Sequence, residues 1–320
     1  MQDLSSNQKI LSLIRKNRIN HLYHFTDIYN LPTIVKYGLL PKSILEERGF
    51  LDKVVTGGNP RSKELDVRYD NWNKISFSLC PKLPMAYYRE MEMHIFYIKA
   101  KIELCTVDEV VFVDRNATAN DQKRGFGLMG LELLDFEAIR SDHPYPNKIV
   151  KIKKQAEVLI PRPVDIDWFD ALSFRSKSSL CYARHRLENL IKHLQLDNRH
   201  KSIQGIFEKL EVDESLFCGS HAYIERHEIK LIKSEASQDL ILELRIREIS
   251  GNVEIILEFQ NQKPNMPSLK DSYELSRTAS SLKVSIKKEC VENYQILDVF
   301  LRQGIGKPIL QFREKLRISQ

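Results

Sequence analysis

The spacing of apolar and polar residues in the first half of the chain predicts several short strands joined by a few helices. Apolar residues recur at helical spacing over residues 5–18, whereas HLYHFTD (21–27) alternates as a strand does. Asp27 is then suited to cap a following helix, which Gly38 is expected to end. The same criteria predict further strands at residues 74–80, 94–103, 109–114 and, as two short strands with a bend, 148–161.

Two long polar stretches, residues 41–73 and about 115–147, interrupt these elements and are predicted to be loops, the second with a short helix over LELLDFEAI (131–139). Loops of such length in a compact domain are usually functional or disordered. The pattern changes after Phe174, first to a helical period and then to repeated alternation. We therefore predict an α+β fold with three parts: a mixed β core with helices (1–175), a helical connector (176–215) and a β-rich accessory domain of unknown role (216–320).

The composition excludes several classes of protein. Among 320 residues, no apolar run approaches the ~20 residues of a membrane span, and the N-terminal residues lack the apolar core of a secretory signal. The five cysteines are scattered, odd in number and without a CxxC pair, which disfavours a disulfide framework. No cysteine and histidine set has metal-binding spacing, so we expect no metal. A reduced, cytoplasmic protein is expected.

The net charge of +6 permits a polyanionic partner but does not require one. Basic residues concentrate in the second predicted loop and just after it, where phosphate contacts would need them. A strand with an exposed lysine face explains the later group equally well. The candidate nucleic-acid contacts are Lys123, Arg124, Lys151 and Lys154.

One acidic residue interrupts an apolar strand in QAEVLIP (155–161). Burying an unpaired carboxylate costs several kcal/mol, so Glu157 is expected to face either solvent or a functional cleft. The exposed position of an alternating strand is the simpler alternative.

Two further segments carry groups suited to a dinucleotide. His24 and Thr26 share one side of a strand and offer an imidazole and a hydroxyl to ribose hydroxyls or a carboxamide. Arg68 precedes the strand at 74–80, and a guanidinium can grip a pyrophosphate through paired hydrogen bonds. A structural histidine, and a surface arginine paired with a nearby aspartate, are the alternatives.

Four segments together resemble the DarT-type nucleic-acid ADP-ribosyltransferases. They are HLYHFTDIYNLPTIVKYGLLP (21–41), DVRYDNWNKISFSLCPKLPMAYY (66–88), the glycine-bearing loop after VFVD (111–114), and QAEVLIP (155–161). The resemblance covers about residues 20–175 and implies an ADP-ribosyltransferase-like core. It also implies Glu157 and Arg68 as catalytic residues. The NAD site that it implies consists of His24, Phe25, Thr26, Asn30, Leu31, Arg68, Ser76 and Tyr87.

The resemblance implies an enzyme that transfers ADP-ribose from NAD to a base of single-stranded DNA or RNA. Glu157 would hydrogen-bond the nicotinamide ribose, stabilise the oxocarbenium-like transition state and accept a proton from the attacking base nitrogen. Such an enzyme would be the toxin of a toxin–antitoxin or phage-defence pair, with a macrodomain hydrolase or a direct-binding protein as antitoxin. A non-catalytic binding module of the same fold and a transferase acting on protein are the alternatives.

Overall fold

The computed structural model describes residues 5–56, 60–142, 147–194, 205–218, 221–233, 238–247, 253–260, 268–275, 281–286, 294, 296–303 and 308–316. Within these ranges the chain forms α-helices and β-strands in nearly equal share, together with short 3-10 turns. The helices are α1 (Ser6–Lys16), α2 (Leu31–Tyr37), α3 (Lys42–Glu47), α4 (Pro60–Arg68), α5 (Pro84–Glu90), α6 (Gly127–Leu131), α7 (Phe136–Arg140), α8 (Lys148–Lys153) and α9 (Lys177–Leu194).

The strands fall into three sheets. The strands of the first sheet are β1 (His21–Asp27), β2 (Ile75–Ser78), β3 (Ile95–Lys101), β4 (Val111–Val113), β5 (Arg124–Phe126), β6 (Glu157–Ile160), β7 (Phe169–Phe174) and β8 (Leu210–Val212). Those of the other two sheets are β9 (Tyr223–Lys233), β10 (Gln238–Arg247), β11 (Val253–Gln260), β12 (Leu269–Leu275), β13 (Ser281–Ile286), β14 (Ile296–Gln303) and β15 (Ile309–Lys315).

The first sheet has the strand order β5-β4-β6-β2-β1-β3-β7-β8, so its central strands come from distant parts of the chain. The pairings from β5 to β7 are antiparallel. Alternation alone does not fix the direction of strands that are far apart in sequence. The α+β class is confirmed.

The turn after β1 forms as predicted. The Asp27 carboxylate accepts a hydrogen bond from the backbone N–H of Tyr29 at 2.8 Å and so caps the helical segment. Gly38 ends α2 with a φ of +76°. A Cβ at Gly38 would lie 2.5 Å from the carbonyl oxygen of Val164, so only glycine fits there.

Three sequence predictions need correction. The stretch at 41–73 was predicted to be a loop but contains α3 and α4. The loop at 115–147 contains β5 and α6, which were not predicted, besides α7, which overlaps the short helix predicted over 131–139. The first strand predicted within 148–161 is the helix α8, because the Asn147 side chain caps it by accepting from the Val150 N–H at 2.9 Å.

The chain divides into two compact units. Unit 1 comprises Met1–Tyr87, Ile95–Ser173 and Asn189–Glu211, and unit 2 comprises Tyr88–His94, Phe174–Glu188 and Val212–Gln320. Unit 2 holds a three-stranded sheet, β13-β10-β9, and a four-stranded sheet, β12-β11-β14-β15, which confirms the β-rich character of the C-terminal half. The predicted domain limits stay a prediction. Across the described ranges, no helix is both long and apolar enough to cross a bilayer.

Candidate active site

The Glu157 side chain lies at the start of β6 and is held by three hydrogen-bond donors. Its Oε1 accepts from the Asn116 side-chain amide at 2.9 Å and from the Ala117 backbone N–H at 3.2 Å. Its Oε2 accepts from the hydroxyl of Ser76 on the neighbouring strand β2. The carboxylate therefore does not point freely into solvent, and it is fixed from two sides.

The position of Asn116 follows from a tight turn after β4. Its side-chain oxygen accepts from the Thr118 backbone N–H at 3.0 Å, which is an Asx turn. Because the oxygen is occupied by the turn, the amide nitrogen is directed to Glu157. The sequence analysis missed Asn116, since nothing in the local sequence says that β4 pairs with β6.

His24 is joined to Glu157 through Ser76. The imidazole Nδ1 donates to the Ser76 carbonyl oxygen at 2.9 Å, while the Ser76 hydroxyl donates to Glu157. Burial lowers the pKa of His24, the backbone bond opposes that shift, and the charge of Lys42 adds to it. The ring is therefore neutral near pH 7, with Nε2 able to accept a hydrogen bond.

Burial raises the pKa of Glu157 to about 7, despite the opposing hydrogen bonds from Ser76 and Ala117. Asp66 raises this pKa further and Lys42 lowers it. The carboxyl is thus poised between its neutral and ionised forms near physiological pH, as is common for catalytic acids and bases.

Lys42 and Asp66 form an ion pair at 2.6 Å that acts on this site. The charge of Lys42 lowers the pKa of both His24 and Glu157. Its ammonium also lies 5.4 Å from the centre of the Trp72 ring. The sequence analysis missed this pair because it interpreted residues 41–73 as a loop.

Of the predicted NAD contacts on β1 and α2, some are available and some are structural. Asn30 is buried and donates to the Thr26 hydroxyl and to the Val55 carbonyl, each at 2.8 Å. Leu31 is fully buried, so its side chain belongs to the core. Phe25 packs at 6.0 Å from the Tyr97 ring.

The other two predicted NAD contacts are exposed. Tyr87 lies on α5 with 36% of its surface exposed. Arg68 is the last residue of α4, beside the Tyr69 ring, and within the described part of the chain it has no ion-pair partner. Asp66, on the same helix, raises the pKa of Glu157 through its charge.

The four basic candidates differ in what their side chains contact. Lys123 and Lys151 are exposed. The Arg124 guanidinium donates to the Tyr69 carbonyl at 2.7 Å, and the Lys154 ammonium is buried against the Ser141 carbonyl. The last two side chains thus hold the fold together, and only the first two are open to a nucleic acid.

The α+β fold and the segments carrying His24, Ser76 and Glu157 are those of an ADP-ribosyltransferase that uses NAD. A family profile described as "DarT: ssDNA thymidine ADP-ribosyltransferase, DarT" matches residues 23–207, more than half of the 320 residues. The chain belongs to the DarT family. This match confirms the predicted family, the enzyme class and NAD as its substrate. The roles of individual site residues stay predictions.

Several solved structures are similar to part of the chain. Thermus sp. 2.9 DarT in complex with NAD+ is 18% identical, with 62% of this chain and 98% of that chain covered and a TM-score of 0.44. The same protein in complex with ADP-ribosylated ssDNA is 17% identical, with 63% and 97% covered and a TM-score of 0.47. Thermosipho africanus DarTG in complex with ADP-ribose is 19% identical, with 67% and 54% covered and a TM-score of 0.45. Among proteins of curated function, none is a significant match.

The raised pKa of Glu157 predicts a pH-dependent cost in stability. The pKa of Glu157 is higher in the folded state than in the unfolded state. At a pH between these two values the folded state therefore binds one more proton, and stability falls as pH rises toward about 7. Glu157→Gln removes this titration. From pH 5 to pH 8 the wild type should lose roughly 1–3 kcal/mol of unfolding free energy relative to the variant. Urea unfolding at both pH values measures this, and parallel pH dependence in the two proteins would contradict it.

Proposed function

We propose that this chain transfers ADP-ribose from NAD to a thymidine base of single-stranded DNA, with Glu157 as the catalytic carboxylate. The observation that supports it most is the half-buried Glu157 carboxylate, which three donors hold and which Ser76 joins to a neutral His24. The description of the matching family supplies the base and the single-stranded target.

In the proposed reaction the bond between nicotinamide and ribose breaks, and its electron pair leaves with nicotinamide. Positive charge then develops on the ribose, where an ionised Glu157 stabilises it. A ring nitrogen of the base attacks the anomeric carbon and loses its proton to Glu157. The hydrogen bonds of Ser76 and Asn116 keep the carboxylate in one orientation for both tasks.

The groups around Glu157 are proposed to seat NAD. His24 and Thr26 would contact the nicotinamide ribose and carboxamide, with the Phe25 backbone holding the amide. Arg68 would grip the pyrophosphate, since among the described residues its guanidinium has no ion-pair partner. Asn30 would act indirectly, because it fixes the Thr26 hydroxyl and the segment at Val55. Ser76 and Tyr87 are proposed to line the nicotinamide side, and Leu31 to support them from the core.

The segment after β4 is proposed to hold the DNA strand. Phe126 is 62% exposed at the end of β5, and Met129 follows on α6. Gly125 and Gly130 let α6 pack against β5, because a Cβ at Gly130 would lie 2.1 Å from the Gly125 oxygen. Exposed aromatic rings on a fixed turn are suited to stacking with unpaired bases.

Asp114 joins the two segments that carry the exposed lysines of this surface. Its buried carboxylate accepts from the Lys123 N–H at 2.8 Å and from the Lys153 ammonium of α8. Although burial alone would raise the pKa of Asp114, hydrogen bonds from Arg115 and Lys153 lower it, so it stays ionised. Exposed Lys123 and Lys151 are therefore carried by connected elements and are proposed to contact phosphates.

A cytoplasmic toxin is the proposed biological role, because a modified base stops the reading and copying of DNA. The single-stranded DNA that the matching family modifies arises in every cell that copies its genome, so the producing cell needs protection from such a toxin. We propose that the protection comes from a macrodomain hydrolase, which would remove the ADP-ribose, or from an antitoxin that binds the toxin directly.

The first prediction for this reaction concerns the chemistry. With NAD and a thymidine-containing single-stranded oligonucleotide, the wild type should add a mass of one ADP-ribose unit. Glu157→Gln should reduce the rate at least about 1,000-fold, because it removes the charge that stabilises the transition state. Mass spectrometry of the oligonucleotide measures this.

Glu103→Gln is the matched control, since that carboxylate is exposed and pairs with Arg15 at the surface. It should react like the wild type. Full transfer by Glu157→Gln would overturn the assignment of the catalytic residue. Binding of the oligonucleotide without transfer by any form would favour a non-catalytic module, and labelling of protein alone would favour a protein-directed transferase.

The second prediction is a pH profile. If Glu157 acts ionised, kcat/KM for NAD should fall about tenfold per pH unit below a pKa of about 7 and level off above it. Asn116→Ala removes a donor to the carboxylate, so it should move the inflection to higher pH. Asn120→Ala, an exposed residue of the same segment, should leave the inflection unchanged. An unmoved inflection in Asn116→Ala would show that another group titrates.

The third prediction separates DNA binding from NAD binding. Phe126→Ala should raise KM for the oligonucleotide about 5- to 100-fold, because base stacking on an aromatic ring is lost. KM for NAD should not change. The control is Leu269→Ala, which removes another exposed apolar side chain, in unit 2. Equal effects on both KM values would indicate a structural role for Phe126.

A further inference from the structure

Unit 2 contains a group of three metal-ligating side chains that the transferase reaction does not use. Cys181 of α9, His227 of β9 and Glu314 of β15 each direct one ligand atom to the same place, and these atoms lie within 4.8 Å of one another. Nε2 of His227 lies 3.0 Å from Oε1 of Glu314, and the Cys181 sulfur lies 3.9 Å from that oxygen.

The imidazole of this cluster is held in a fixed orientation. Its Nδ1 lies 2.7 Å from the hydroxyl of Ser178, which is itself buried on α9. The ring stacks on Phe312 with 3.6 Å between centroids and 5° between planes. A histidine whose second nitrogen is hydrogen-bonded and whose ring cannot rotate has the arrangement found around protein metal ligands.

We propose that Cys181, His227 and Glu314 bind one divalent cation of the zinc class, with water as the fourth ligand. Sulfur, imidazole and carboxylate together are a donor set that zinc accepts, whereas calcium and magnesium require oxygen. Tetrahedral bonds of about 2.0–2.3 Å place ligand atoms about 3.3–3.6 Å apart, so the pairs at 3.0 and 3.9 Å need only small adjustments.

The cation would replace protons at two points. It would take the place of the proton on His227 Nε2 that faces Glu314, which would move to Nδ1, and it would displace the proton of the Cys181 thiol into solvent. The Ser178 hydroxyl would then accept from the Nδ1–H of His227. The exposed side of Cys181 leaves room for entry and for the water ligand.

The proposed site would connect three elements of unit 2 that no backbone ladder joins among the described residues. His227 belongs to the three-stranded sheet, Glu314 to the four-stranded sheet, and Cys181 to a helix. A shared cation would fix both sheets and the helix, so its binding should stabilise unit 2.

The experiment titrates chelator-treated, reduced full-length protein with Co²⁺, which reports cysteine ligation through a thiolate-to-metal charge-transfer band in the near ultraviolet. We expect one Co²⁺ per chain, displaced by Zn²⁺, and a Tm that rises with Zn²⁺. Cys181→Ser should abolish the band and the Tm rise, while its exposed side chain lets the fold tolerate the change. Circular dichroism checks that the fold is kept.

Cys218→Ser is the matched control, because Cys218 belongs to the same unit but not to the cluster, and it should bind Co²⁺ as the wild type does. Ser178→Ala should weaken binding about 10- to 100-fold through the lost support of His227. Absence of a charge-transfer band in the wild type, or a band that Cys181→Ser keeps, would overturn the proposal and leave a hydrogen-bonded His227–Glu314 pair beside a thiol.

Discussion

The structure of unit 1 depends on one constraint, the presence of the Glu157 carboxylate at the head of an otherwise buried strand. The three residues that follow it on β6 are buried, so a charge there is costly unless donors surround it. Ser76, Asn116 and the Ala117 backbone supply those donors, yet the pKa of Glu157 still rises to about 7. The fold therefore compensates only part of the cost, which is what a reactive carboxyl requires.

The order of strands in the sheet makes this arrangement possible. The strand order β4-β6-β2-β1 brings together strands from distant parts of the chain, and each contributes one part of the site. His24 comes from β1, Ser76 from β2, Glu157 from β6 and Asn116 from the turn after β4. Because side chains alternate between faces, a slip of one residue in β6 would turn Glu157 away from Ser76. The pairing of β2 with β6 thus fixes both the register of the strands and the contact between Ser76 and Glu157.

The features that could be predicted from the sequence are those that neighbouring residues determine. The Asp27 cap and the Gly38 helix end depend on neighbouring residues, and both formed as predicted. Helix α8 was mistaken for a strand because its alternating Lys and β-branched residues fit a period of two, whereas a side-chain cap from Asn147 determines the outcome. Asn116 could not be predicted, since its contact with Glu157 depends on strand order. The cluster around Cys181 was hidden for the same reason, as its members lie far apart in sequence.

The charges around Glu157 bear on the role proposed for Arg68, which has no ion-pair partner among the described residues. Lys42 lowers the pKa of Glu157 and Asp66 raises it, and the two neutralise each other in an ion pair. A pyrophosphate entering this site would add two negative charges, and these would raise the pKa of Glu157 further. Lys42 is already engaged, so Arg68 is the group suited to compensate them. We propose that the guanidinium would bind the dinucleotide and would also keep the carboxylate ionised once the substrate is bound.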